Sequence, residues 1–261
     1  MTVMRKGCVY GAPCWVGLMA RDLGTATGFY GPLFGWRFEP GPERWGPYLR
    51  VYSGGWEVAG IGEVAKRWEL PVTWTTYFGT DDANATAAAI RERGGTVAVG
   101  PLEFDAGRLA LASDPAGASF GIWEGRASSR TREWPIASPV WIELRTRDAF
   151  ESALFYGQVF GWDQEDPKRY EVRYEHDRVV LRVDGHSVAA LSGGGTEAAM
   201  DPRVRPRWHV YFSVADVDAT VEKAVKLGGE VTGEPQDSAY GRVAGLRDVE
   251  GGLFSVISQH H

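Results

Sequence analysis

The sequence predicts an α+β fold in which one βαβββ module is used four times. Three observations predict it: a motif that repeats once per half, a second set of matches at another fixed offset, and a strand–helix–strand order that restarts four times. Phe29-Tyr30-Gly31-Pro32-Leu33-Phe34-Gly35-Trp36 recurs from Phe155 to Trp162, 126 residues on, with six of eight positions identical. Trp15, Leu18 and Asp22 recur at the same offset as Trp141, Leu144 and Asp148. Trp74, Tyr77, Phe78, Asp82, Ala85 and Thr86 recur 134 residues on as Trp208, Tyr211, Phe212, Asp216, Ala219 and Thr220. Asp114, Gly117 and Phe120 recur at that second offset as Asp248, Gly251 and Phe254. Matches at a fixed offset mark a tandem duplication. The expected domains are residues 8–125 and 138–259, with 126–137 as a linker that carries Ser128, Ser129 and Pro135.

Each element follows from local pattern. Residues 14–22 are apolar-rich and alternate, as a strand does. Leu23, Ala26, Tyr30 and Leu33 then fall near helical spacing, and Gly35 stops the helix. Short strands follow at 47–53 and 57–64, with Gly54-Gly55 as the turn. The order restarts at Thr73 with a strand to Thr80, and Asp82 stands where a helix cap belongs. Ala83 to Arg93 is a helix stopped by Gly94-Gly95, and strands follow at 96–103, 108–113 and 119–124. The four modules are 14–64, 73–125, 139–192 and 207–258. The Gly-Arg pairs at 107–108 and 241–242 read as turn signals, and Gly193-Gly194-Gly195 as a flexible loop.

Composition narrows the function. With 261 residues, 44% hydrophobic and 24% charged, the chain can bury a core and is not disordered. Lys plus Arg is 28 against 34 Asp plus Glu, a net charge of −6 with no basic block, which excludes nucleic acid as the expected partner. Cys8 and Cys14 are too few for a disulfide framework or a zinc cage. No stretch approaches the roughly 20 apolar residues of a spanning helix, and no signal peptide is visible. A cytoplasmic monomer or homodimer with no membrane partner is expected. His260-His261 reads as the stub of a tag, which leaves His176, His186 and His209. The 11 tryptophans exceed what a core of this size is expected to need.

The four modules, the Asp-x-x-x-(Ala/Thr)-x-x-Phe-Tyr-x-x-(Leu/Val)-Phe-Gly-Trp motif after each half's first strand, and Asp114-Pro115-Ala116-Gly117 before the last strand of the first half carry a family resemblance. The chain resembles the vicinal oxygen chelate superfamily, which includes glyoxalase I, extradiol dioxygenases and the bleomycin- and fosfomycin-resistance proteins. It is similar to a two-domain, actinobacterial, glyoxalase-like branch. The resemblance covers nearly the whole chain. It implies two open, cup-shaped, mixed-sheet domains, each made from two modules, with substrate and, in the enzymes, a divalent metal inside.

The resemblance also implies where metal ligands stand. Two come from first strands, seven residues before the Asp that starts the helix; two come from last strands, seven residues after the Asp of the turn. In the first half those positions are Trp15, Thr75, Gly121 and, aligning Gly55 with Gly117, Ala59. In the second half they are Trp141, His209, Ser255 and, aligning Gly185 with Gly117, Ala189. One of eight is metal-competent, and a divalent ion needs several donors. No metal and no cofactor are therefore expected.

The replacements add volume and flat aromatic faces, which suits an apolar or aromatic ligand. Strand parity adds Tyr77 and Tyr211 to the lining. The expected function is a metal-independent protein that binds a hydrophobic, aromatic natural product or metabolite, for sequestration, carriage or antibiotic self-resistance. The alternative is a metal-free isomerase, cyclase or hydratase on a polyketide-like substrate, with Glu143 as general acid or base assisted by His209 or Tyr211. A metal-dependent glyoxalase or dioxygenase is the third reading.

Overall fold

The computed structural model describes residues 8–67, 69–104, 107–125, 135–162, 170–175, 178–193 and 205–258. The expectations placed on Gly194, Gly195, His176, His260-His261 and linker residues 126–134 lie outside these residues. The first half contains β1 (Pro13–Met19), α1 (Leu23–Phe34), β2 (Arg37–Pro40), β3 (Tyr48–Ser53) and β4 (Trp56–Gly62). It continues with β5 (Thr73–Gly79), α2 (Ala83–Glu92), β6 (Thr96–Phe104), β7 (Gly107–Ser113) and β8 (Ser119–Gly125). The second half repeats the order as β9 (Pro139–Arg145), α3 (Ala149–Phe160), β10 (Tyr170–Glu175), β11 (Arg178–Val183) and β12 (His186–Ser192). It ends with β13 (Arg207–Ser213), α4 (Val217–Lys226), β14 (Glu230–Ser238), β15 (Gly241–Arg247) and β16 (Leu253–Ser258). Four helices and sixteen strands are thus four βαβββ modules among the described residues.

Each helix starts on an aspartate. Asp22, Asp82, Asp148 and Asp216 have extended backbones and accept from backbone N–H groups of the first turn. Gly35 and Gly161 end α1 and α3 in the left-handed region, at φ of 69° and 67°. β2 is absent from the sequence-level strands. It has four residues, all at least partly exposed, so no apolar alternation announces it.

The strands of each half make one open, mixed sheet of eight. The orders are β2-β3-β4-β1-β5-β8-β7-β6 and β10-β11-β12-β9-β13-β16-β15-β14. The first strand of every module runs parallel to the last. Packing divides the chain differently. Among the described residues, one compact unit is drawn from the ranges 8–15, 76–125 and 142–208, the other from 16–75, 135–141 and 209–258. The first unit holds the second and third modules, and the second unit holds the first and fourth.

Both units are fastened the same way. In the second, the buried Tyr30 hydroxyl donates to Asp248 Oδ2 at 2.8 Å and accepts from Trp74 Nε1 at 2.9 Å. Asp248 Oδ1 accepts from the Glu250 and Gly252 backbone N–H groups. In the first, Tyr156 donates to Asp114 Oδ2 at 3.1 Å and accepts from Trp208 Nε1 at 2.9 Å, while Asp114 Oδ1 accepts from Ala118 N. Aromatic rings surround each hydroxyl. Phe34, Trp36, Trp74, Phe212 and Phe254 pack in one unit; Phe78, Phe120, Phe160, Trp162 and Trp208 pack in the other. Trp36 and Trp162 donate to the carbonyls of Ala137 and Gly11. Trp36, Trp74, Trp162 and Trp208 therefore serve the core.

Burial holds the Tyr30 and Tyr156 hydroxyls well above the usual phenol range, with the nearby carboxylates adding to it. Burial also raises Asp114, and its hydrogen bonds oppose the shift only in part. Two outcomes follow. Tyr156→Phe leaves the Trp208 N–H and an Asp114 oxygen buried without a partner, and lowers stability by about 1–3 kcal/mol in a urea titration. A raised carboxyl pKa means the fold binds its proton more tightly than the unfolded chain. The contribution of Asp114 is full below the unfolded value of about 3.9 and is lost as pH rises through the raised one. Asp114→Asn removes that downward slope from a plot of stability against pH.

Candidate functional site

Strand register decides which side chains share a face. In the parallel pairs, Gly17 lies opposite Gly60, Tyr77 opposite Gly121, Glu143 opposite Ala190 and Tyr211 opposite Ser255. Side chains alternate along a strand, so Trp15 shares the side of Gly17, and Trp141 the side of Glu143. Thr75 and His209 share the sides of Tyr77 and Tyr211.

Two expected lining residues are corrected by one position. Ala59 sits next to Gly60 and points to the opposite face, with Ile61 and its partner Leu18, all buried. Ala189 lies opposite Ile142, again on the opposite face from Glu143. The cause is a bulge in each hairpin. Val51 pairs with Ala59 but Tyr52 with Glu57, which leaves Val58 extra. Leu181 pairs with Ala189 but Arg182 with Ser187, which leaves Val188 extra. The β7–β8 hairpin runs without a shift, so counting from Gly117 falls one residue short when transferred to Gly55 or Gly185. Gly60 and Ala190 are the register equivalents of Gly121 and Ser255.

The faces of the first half are covered by tyrosines. In the first module, a Cβ on Gly60 would lie 1.8 Å from Tyr48 Oη. Tyr48 is the register partner of Gly62. In the second module, a Cβ on Gly121 would lie 2.1 Å from Tyr77 Cδ1. Each ring rests directly on glycine backbone. Thr75 is buried, and its hydroxyl has no hydrogen-bond partner among the described residues.

The faces of the second half are polar. Glu143 is 4% exposed, and its Oε1 accepts from Ser192 Oγ at 2.5 Å. Arg178 Nη1 lies 3.3 Å from the same oxygen and Arg145 Nε 3.7 Å from Oε2. A buried carboxylate requires such company, since an unpaired one is costly to desolvate. In the other packing unit, His209 is 3% exposed and its Nε2 lies 2.8 Å from Ser255 Oγ. The Tyr211 ring meets the imidazole edge-on at 5.2 Å. Trp141 stacks on Tyr240, with ring centroids 6.2 Å apart and planes 24° from parallel. The structure thus joins His209, Tyr211 and Ser255 in one unit, and Glu143, Arg145, Arg178 and Ser192 in the other.

The donor set does not fit a metal. With register corrected, the eight positions hold Trp15, Gly60, Thr75, Gly121, Trp141, Ala190, His209 and Ser255: one imidazole, two hydroxyls and no carboxylate. Among the described residues, no group of three or more His, Cys, Asp or Glu is placed to hold an ion. A divalent centre built from nitrogen and oxygen ligands needs more.

Arg178, Ser192, Tyr48 and Tyr240 escape the sequence reading. The pairing of Arg178 with Ser192 and of Tyr48 with Gly62 depends on strand register across a bulge, which spacing does not reveal. The repeated Gly-Arg pairs serve structure, as expected. Gly107 and Gly241 have φ of 151° and 128°, and Arg108 and Arg242 pair with neighbouring carboxylates. Among the described residues no helix is long and apolar enough to cross a membrane.

Comparison with known proteins gives three kinds of likeness. A family model for a glyoxalase-like domain matches residues 141–257. The anthracycline biosynthesis protein DauV of Streptomyces sp. (strain C5) is 35% identical over 266 residues, covering 95% of this chain and 93% of its own. CFP32 of Mycobacterium tuberculosis, which carries only a provisional glyoxylase label, is 35% identical over 254 residues, covering 95% and 94%. The Mn(II)-bound glyoxalase of Novosphingobium aromaticivorans superposes with a TM-score of 0.60 at 16% identity, over 95% of this chain and 82% of its own. Homoprotocatechuate 2,3-dioxygenase of Arthrobacter globiformis gives 0.62 at 13% identity, over 100% and 83%. At those identities the structural likeness speaks for fold alone.

The tyrosine-on-glycine arrangement has a direct test. Gly121→Ala puts a methyl where the Tyr77 ring lies, and overpacking of that kind lowers stability by about 1–3 kcal/mol. Gly28→Ala, in α1 with nothing within 4 Å of the added carbon, does not lower it. Thermal unfolding of the two variants separates the outcomes.

Proposed function

Since the chain belongs to the glyoxalase-like proteins of the vicinal oxygen chelate superfamily, we propose that it binds a planar aromatic small molecule without a metal ion. Its role in this reading is carriage, sequestration or self-protection around a natural product or metabolite. The observation that carries the proposal is the content of the eight ligand positions, where indoles, small residues and hydroxyls stand at seven and an imidazole, His209, at one. Flat aromatic side chains bind flat ligands by stacking and area burial, and Trp141 with Tyr240 presents such a surface. The name of the Streptomyces relative points the same way, because anthracyclines are fused, planar, oxygenated ring systems.

A second reading draws on Glu143. The reading is supported by a buried carboxylate that accepts from Ser192 and lies beside two arginines. Under this reading the protein is a metal-free isomerase, cyclase or hydratase on a polyketide-like substrate with Glu143 as its acid or base; His209 and Tyr211, expected to assist, belong to the other packing unit. Turnover that survives Glu143→Gln rejects it.

The binding proposal predicts that intrinsic tryptophan fluorescence is quenched, saturably, by a fused-ring quinone such as 1,8-dihydroxyanthraquinone. The titration is unchanged after exhaustive EDTA treatment of untagged protein. Flat titrations across a panel of fused-ring aromatics overturn the proposal, and a midpoint that moves on chelation overturns metal independence.

A further inference from the structure

We infer that β10 is a self-association edge, on which a second copy of this chain adds its own β10 antiparallel about a two-fold axis through Val172. The surface lies within the packing unit that holds the second and third modules and is independent of the ligand proposal above.

Among the described residues, the outermost strands of the two sheets are β2, β6, β10 and β14. An outermost strand offers backbone N–H and C=O groups to any strand that approaches, and proline blocks such an edge because it has no N–H to give. β2 is four residues long and ends on Pro40. β6 carries Pro101 and β14 carries Pro235, and each has two shifts of register against its neighbour. β10 has no proline, and its six residues pair with β11 without a shift. Three edges are blunted and one is regular.

The side chains of β10 suit a strand as partner. Tyr170, Val172 and Tyr174 share one face, and Glu171, Arg173 and Glu175 the other. The first set lies opposite Val183, Leu181 and Val179, all buried, so the apolar layer of the sheet runs out to this edge. It ends with Val172 42% and Tyr174 73% exposed. A second strand laid alongside continues that layer instead of leaving it in water.

Charge selects the partner and the register. In an antiparallel pairing about a two-fold axis, the central residue faces its own copy. Centred on Arg173, the pairing sets arginine against arginine and Glu171 against the partner's Glu175. Centred on Glu171, it sets glutamate against glutamate. Like charges directly opposite are destabilising. Centred on Tyr174, only three of the described residues of the strand are in register. Centred on Val172, Glu171 faces the partner's Arg173, Arg173 faces the partner's Glu171, and Tyr170 and Tyr174 meet across the strands. The pattern is complementary to itself, as an isologous contact requires. Within one chain Arg173 Nε already donates to Glu171 Oε1 at 2.6 Å, and that bond is kept. The second copy adds an opposite charge across the strands to the one along the strand. Exposed ion pairs contribute little affinity, so these charges set register while backbone bonds and the Val172 and tyrosine contacts hold the copies together.

Sedimentation velocity of the full chain from about 1 to about 300 µM tests the inference, since an edge of this size falls in the weak class, with Kd on the order of 10–100 µM. The expected result is a monomer–dimer equilibrium. Arg173→Glu, which sets a glutamate against the partner's Glu171, weakens it at least about tenfold, and Glu171→Arg does the same with two arginines. The two variants mixed in equal amounts dimerise again, and so does the double variant E171R/R173E. Should Glu171→Arg fail to fold, since Glu171 also pairs with Arg182, Val172→Lys takes its place and is monomeric. A chain that stays monomeric over the whole range overturns the inference. So does a dimer that either single variant leaves intact, or a pair of single variants that remains monomeric when mixed.

Discussion

A tyrosine hydroxyl held between an indole N–H and a buried carboxylate is the joint on which each packing unit depends. The tyrosine comes from the first helix of one half and the carboxylate from the last turn of the other. Away from water such a chain of hydrogen bonds is strong when complete and expensive when broken. It explains why two motifs far apart in sequence recur together. The Phe-Tyr of one supplies the hydroxyl, its Gly-Trp end supplies a ring stacked on that tyrosine, and the Asp-x-x-Gly turn of the other supplies the acceptor. The aspartate is held in place by backbone N–H groups of its own turn, which orients the acceptor toward the tyrosine.

On this repeated frame the sheet faces have diverged while the strand register at the compared positions is kept. The same bulge, at Val58 and at Val188, sets the same register in the first and third modules. What differs is side-chain content: glycines under a tyrosine in one, a glutamate with a serine and two arginines in the other. Because the register is shared, each substitution lands at an equivalent point of the sheet. Duplication kept the packing and released the faces.

The duplication and the helix starts were legible in the sequence, and at six of the eight positions that the resemblance implies the count agrees with the strand register. All six lie at a fixed distance from an aspartate whose place is set by a cap or a tight turn. The other two, Gly60 and Ala190, were missed by one residue because a bulge leaves no local mark, and a slip of one turns a side chain to the opposite face. The roles of Trp36, Trp74, Trp162 and Trp208 were not legible either. An aromatic residue that fills a core and one that lines a binding face have the same composition, and only packing separates them. Which modules pack together was hidden for a related reason: both halves carry the same motifs, so the sequence offers each tyrosine two aspartates.

The partnership of first and fourth modules bears on how the protein is made. Tyr30 waits for an aspartate 218 residues further along the chain. When the first module leaves the ribosome, the surface meant to cover its aromatic face has not been synthesised. Contacts of such long separation form late and leave apolar surface exposed meanwhile. The hydroxyl of Tyr30 therefore lacks its acceptor until the turn before β16 has been made.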